Sequence, residues 1–174
     1  MEEGKSEKDF LQLALDTWEK VLEDIEHGKI VLENESELKC YLFHHCIVLM
    51  QKRKFDTPHS VFVEESLDEG KKHPKKCDLV LGQTVFVELK YMKSINTKEI
   101  DEVKQDILRL ENQIRNQMAF AGVFLMIDQT GRYQQQIDPF LKATVPQDHI
   151  EWQTLEVPNR KGKLYALKVV MLRS

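Results

Sequence analysis

The chain has 174 residues, 41% of them hydrophobic and 31% charged, with a formal net charge of −4. That is one domain's length with enough apolar material for a core, which excludes a disordered or fibrous chain. No run of about 18 apolar residues occurs, so no membrane-spanning helix is expected, and the charged start MEEGKSEKDF lacks the apolar stretch of a signal peptide. Cys40, Cys46 and Cys77 are odd in number and form no CxxC pair. They argue against a disulfide framework or a zinc site and fit a reducing, cytoplasmic or otherwise intracellular setting.

Ser6-Glu7-Lys8-Asp9 reads as a helix start, and Phe10, Ala14, Trp18, Val21 and Ile25 follow at helical spacing until Gly28. Asn34 is a plausible cap for a second helix with an apolar stripe of Leu38, Leu42, Cys46 and Leu49. Cys40 and Cys46 are expected to be buried small side chains. His59–Glu65 reads as a strand, 68–74 as a polar loop, and Cys77–Leu81 and Val85–Lys90 as two strands joined around Gly82-Gln83. Asn96-Thr97 caps a long helix whose buried face is Ile100, Val103, Ile107, Leu110, Ile114 and Met118. Ala119–Ile127 is a wholly apolar strand, 128–132 a turn, and a short helix is expected around Asp138–Ala143. Glu151–Val157 and Leu164–Leu172 read as late strands.

Consecutive strands predict antiparallel hairpins, and the helix leading into 119–127 predicts a crossover to a parallel strand. The expected fold is α/β, on the α+β border, with a mixed central sheet and helices on both faces. A single domain over 1–174 is expected, with an acidic helix at 1–30 and a core at 34–174.

Charge is distributed unevenly. Residues 1–39 carry 12 acidic and 5 basic side chains, a net of −7, and the remainder is +3. A modestly positive body is compatible with DNA as a partner without requiring it.

Three ionisable residues interrupt otherwise apolar strands: Asp78 in Cys77-Asp78-Leu79-Val80-Leu81, and Glu88 and Lys90 in Val85-Phe86-Val87-Glu88-Leu89-Lys90. Burying an unpaired carboxylate is costly, and two close together repel unless a cation lies between them. A divalent metal with hard oxygen ligands, Mg²⁺ or Mn²⁺, relieves both costs. Register supplies a test, because side chains alternate faces along a strand. A two-residue loop would place Asp78 opposite Val87 and send Glu88 to the other face. A loop of Gly82-Gln83-Thr84, or a bulge, would place Asp78 opposite Glu88 with Lys90 on the same side.

These residues resemble the PD-(D/E)XK nuclease superfamily, with Asp78 as the first acid and Glu88-Leu89-Lys90 as the (D/E)XK. Glu35 fits the helical glutamate that often precedes the sheet. It is preferred over Glu37 because Leu38 and Leu42 follow it at +3 and +7. The resemblance spans roughly residues 34–127 in element order, and Cys77 stands where the motif has proline. It implies a restriction-endonuclease-like fold and a Mg²⁺-dependent nuclease, expected to act on DNA and to leave a 5′-phosphate. Asp78, Glu88, Glu35 and the Leu89 backbone carbonyl would hold metal, and Lys90 would position or activate the attacking water. The alternative is a catalytically inactive copy of the fold that binds nucleic acid or protein.

Secondary candidates for nucleic-acid contact are Gln105, Lys104 and Arg109 on the third helix and Lys75 and Lys76 before Asp78. Arg109 has the alternative of pairing with Asp106 or Glu111. His44-His45 are helical neighbours about 100° apart and are not expected to share a metal. Glu64 or Glu65 is a further candidate near the site. The small size points to a homodimer or a protein partner as the source of specificity, with the acidic first helix and Trp18 as a candidate contact, although Trp18 and Trp152 fit core positions as well.

Overall fold

The computed structural model describes residues 5–55, 61–66, 76–158 and 162–173, with side chains of 62–66 outside the description. Helix α1 (Glu7–Glu26) begins with a reciprocal cap: the Ser6 side chain accepts from the Asp9 N–H, and the Asp9 carboxylate accepts from the Ser6 N–H. Helix α2 (Glu35–Lys52) starts at Asn34, whose side chain accepts from the Glu37 N–H. Strands β1 (Val61–Ser66), β2 (Lys76–Leu81) and β3 (Val85–Met92) follow. Then come α3 (Thr97–Arg115), β4 (Ala121–Asp128), α4 (Tyr133–Thr144), β5 (Ile150–Leu155) and β6 (Leu164–Leu172).

The strands form one six-stranded sheet in the order β1-β2-β3-β4-β6-β5. The β3–β4 pair is parallel, joined by α3, and the other four pairs are antiparallel. The result is the mixed α/β sheet that the hairpin and crossover signals predict. Period-2 alternation sends Val85, Val87, Leu89 and Tyr91 to one face and Phe86 and Met92 to the other. The first set packs with α1 and α2, and the second with α3 and α4. Strand β4 lies between these layers and is buried at all eight positions, so its apolar run carries no alternation. Leu13, Val21, Leu38, Leu110, Leu125 and Ile137 are fully buried, each stabilising the fold by roughly 1.5–3 kcal/mol.

Several local expectations differ from the structure. Helix α3 stops at Arg115, Gln117 takes a left-handed φ of 60°, and Met118 is left 53% exposed rather than buried. Cys40 is exposed, because it lies two residues from Leu38 and so faces away from the sheet. Met50 is fully buried on α2, whereas Leu49 is only partly so. Trp18 is 1% exposed and belongs to the core, so it cannot serve as a docking contact. The late helix runs over Tyr133–Thr144 and tolerates Pro139 inside it. Strand β5 occupies 150–155 rather than 151–157. Residues 59–60 of the expected first strand and the loop at 68–74 lie outside the described residues. Among the described residues no helix is long and apolar enough to cross a membrane.

Candidate functional site

The β2–β3 hairpin sets the geometry. Its loop is Gly82-Gln83-Thr84, with Leu81 paired to Val85 across it. The Thr84 N–H donates to the Leu81 carbonyl at 3.1 Å, and Gly82 and Gln83 both take positive φ. This is the odd-length loop that a shared Asp78–Glu88 site requires. The ladder runs through Val80–Phe86 to Leu79–Val87 and stops there. Beyond that point β2 stays with β1, and β3 stays with β4. A gap therefore opens between β2 and β3 at Asp78 and Glu88.

Side chains replace the missing ladder bonds. The Leu89 N–H donates to Asp78 Oδ2 at 2.8 Å. The Cys77 thiol donates to the Val87 carbonyl at 3.2 Å and to the Leu79 carbonyl at 3.4 Å. Cys77 thus has a bonding role that proline could not supply. Burial pushes its thiol pKa up, and the negative charge of Glu88 adds to that, so it is inert rather than nucleophilic.

Helices from both faces reach into the gap. From α2, Lys39 Nζ lies 2.7 Å from Asp78 Oδ1 and 3.4 Å from Glu35 Oε1. From α3, Arg109 donates to Glu88 Oε1 from Nε at 3.1 Å and from a terminal nitrogen at 2.5 Å, and to Asp106 Oδ1 at 2.8 Å. Lys90 Nζ lies 3.2 Å from Asp106 Oδ2 and 3.9 Å from Glu35 Oε2. Glu37, the other helical acid, instead accepts from the Glu33 N–H at the head of α2. The geometry therefore brings Glu35, not Glu37, to the group.

Glu88 is the most perturbed of these side chains. It is 3% exposed, and burial pushes its carboxyl pKa up to about 8. Arg109 pulls it down, while Asp78 and Asp106 push it further up. Burial opposes the charge on Lys90, but Asp106, Glu35 and Asp78 outweigh it and hold the ammonium above the ordinary lysine value. Lys90 is thus a fixed cation, able to orient a water or stabilise an anion and unsuited to accept a proton.

The sequence pattern passed over Lys39 and Asp106. Lys39 lies one turn after Glu35, on the same helix face. Asp106 interrupts the apolar stripe between Val103 and Leu110 and is buried with it. A carboxylate in that stripe was the available signal. Arg109 turns inward to Glu88 and Asp106, so it pairs with Asp106 as its alternative reading had it, in a largely buried group rather than on the surface. Gln105 is exposed and lines an open cavity of about 640 Å³ with Lys90, Lys98, Asp101, Glu102 and Asp106. Lys104 is half-buried on α3, and Lys76 is exposed two residues before Asp78. Lys75 and the side chains of Glu64 and Glu65 lie outside the described residues. His45 pairs with Asp24 at 3.1 Å, and His44 contacts it edge to face, away from this group.

The donor set suits a hard divalent cation: two carboxylates across the gap, a third on α2, and the Leu89 carbonyl beside them. The raised Glu88 carboxyl reflects burial first, which Arg109 offsets only in part, with Asp78 and Asp106 adding to the rise. The acids are spaced by the protein's own cations, and among the described residues no three His, Cys, Asp or Glu side chains converge on one point. Compared with protein-family models, curated proteins and solved structures, the chain has no match.

Proposed function

We propose that the protein is a metal-dependent nuclease of restriction-endonuclease-like fold that hydrolyses phosphodiester bonds in DNA. One observation carries the reading. The β2–β3 ladder ends at Leu79–Val87, and one run of ion pairs links Asp78, Glu35, Lys90 and Glu88 through Lys39, Asp106 and Arg109.

Asp78 and Glu88 would hold Mg²⁺, or Mn²⁺ in its place, with the Leu89 carbonyl as a further donor and Glu35 supporting the metal through its water. A divalent ion so held lowers the pKa of a water and neutralises charge on the phosphate. Lys90, kept protonated by Asp106 and Glu35, orients the attacking water and stabilises the charge that develops on phosphorus oxygens. Hydrolysis would leave a 5′-phosphate. Gln105 lines the same cavity as Lys90 and would meet the substrate backbone there, while Lys104 and Lys76 are not among that cavity's lining residues. The cavity carries three acids against two lysines, so a phosphate entering there depends on added positive charge. A homodimer or a protein partner would supply specificity.

The test is cleavage of supercoiled, linear, single-stranded and branched DNA with Mg²⁺ or Mn²⁺, comparing wild type with Asp78→Ala and Lys90→Ala. Both substitutions should lower the rate by 10²-fold or more, on the order expected for loss of one preorganised charge. Cleavage that survives both removes the assignment. The pairing of Asp78 with Lys39, and of Glu88 with Arg109, favours one other reading: an inactive module on the same fold that binds nucleic acid or protein. Absence of cleavage together with absence of metal binding would select it.

A further inference from the structure

Lys39 from α2 and Arg109 from α3 each hold one of the two acids at the end of the β2–β3 ladder. Lys39 Nζ is 2.7 Å from Asp78, and Arg109 reaches Glu88 at 2.5 Å. Both are half-buried, and each has a second acid within reach: Glu35 at 3.4 Å for Lys39 and Asp106 at 2.8 Å for Arg109. Neither cation would be stranded if its first partner were taken by another ion. Asp78 could not dispense with Lys39 so easily, since it lies largely out of water and its other described partner is the neutral Leu89 N–H.

We propose that Lys39 and Arg109 are resident cations of the site: they neutralise Asp78 and Glu88 in the metal-free protein, and they retreat to Glu35 and Asp106 when a divalent cation takes the two carboxylates. This rests on the metal-site reading above and adds two positioning residues to it. Lys39 and Arg109 then compete with the metal, and Glu35 and Asp106 are the acids that receive them. The arrangement keeps the gap open without metal, because the carboxylates never face each other uncompensated. It also places an ammonium and a planar guanidinium beside the metal position, where a scissile phosphate would arrive.

Competition has a sign that a purely structural role lacks. Removing a competing cation should tighten metal binding and weaken the metal-free fold. Mn²⁺ affinity is measured by titration calorimetry, and thermal stability is read with and without Mn²⁺, for wild type, Lys39→Met and Arg109→Gln. Lys98→Met serves as a control of equal charge change, since Lys98 is solvent-exposed on the cavity rim and pairs with Glu102. Lys39→Met should melt lower than wild type without metal and bind Mn²⁺ about tenfold more tightly. Arg109→Gln should shift the same way, and Lys98→Met should change affinity less than twofold. If Arg109→Gln does not fold, Lys39→Met and the control still decide the matter. Mn²⁺ binding by wild type with unchanged or weaker binding by Lys39→Met overturns the exchange alone. Absence of binding in every folded protein overturns the metal-site reading and the exchange with it.

Discussion

Replacing Glu88 by Gln isolates the largest perturbation of a carboxyl group among the described residues. Glu88 is 3% exposed, with its carboxyl pKa raised from 4.5 to about 8, chiefly by burial. A raised acid is protonated more readily in the folded chain than in the unfolded one. Its contribution is therefore fully present below pH 4.5 and is lost as pH rises towards and past about 8. At 1.36 kcal/mol per pH unit, that interval corresponds to a loss on the order of 5 kcal/mol. Glutamine mimics the neutral carboxyl and does not titrate. In chelator-treated protein, urea denaturation at pH 6, already above the unfolded value of 4.5, should favour Glu88→Gln by about 2 kcal/mol. At pH 9 the variant should be the more stable by several kcal/mol. The comparison at each pH cancels every other titrating group. A wild-type curve that runs parallel to the variant from pH 6 to pH 9 would refute the reasoning, because Glu88 would then be charged at no cost in both states.

Two further substitutions test the frame around the site. Gly82 has a φ of +57°, and a Cβ there would lie 2.3 Å from Phe10 Cδ2. Gly82→Ala should cost about 2 kcal/mol or more by denaturant titration, and less in a Phe10→Leu background; equal costs in the two backgrounds would exclude the clash. Leu110 is fully buried between α3 and β4, with its Cβ 3.0 Å from the place a Gly122 side chain would take. Leu110→Ala should cost about 2–5 kcal/mol, and a loss below about 1 kcal/mol would show that α3 and β4 collapse to fill the space and are not held at a fixed separation.

The architecture was legible where a periodicity had a single explanation. The apolar run at 119–127 and the amphipathic stripe from Ile100 to Met118 specify a central strand and the helix that crosses to it. The capping residues Ser6, Asn34 and Asn96 mark three helix starts correctly. The odd loop at Gly82-Gln83-Thr84 follows from requiring Asp78 and Glu88 to share a site. Legibility ended where a side chain answers to tertiary contacts. Nothing local to Lys39 says that it meets a residue 39 positions later on another element, and Arg109 on a polar stripe looks like a solvated residue until the gap beside it is seen. Met118 misled because helical spacing continues past the point at which Gln117 turns the backbone.

The composition of the gap argues for a purpose beyond holding strands together. Glu35, Asp78, Glu88 and Asp106 meet Lys39, Lys90 and Arg109 there, four acids against three bases. Buried ion networks of this kind usually stabilise less than apolar side chains of the same volume. Continued β2–β3 pairing would have satisfied the same backbone groups without burying any charge. The chain instead stops the ladder, lends Asp78 and Cys77 to the freed backbone groups, and buries one more carboxyl than it has bases to match, so that Glu88 favours its protonated form. An arrangement that costs stability and holds a buried carboxyl back from ionising suits a group that recruits positive charge from outside, which is what binding a divalent cation against a phosphate requires.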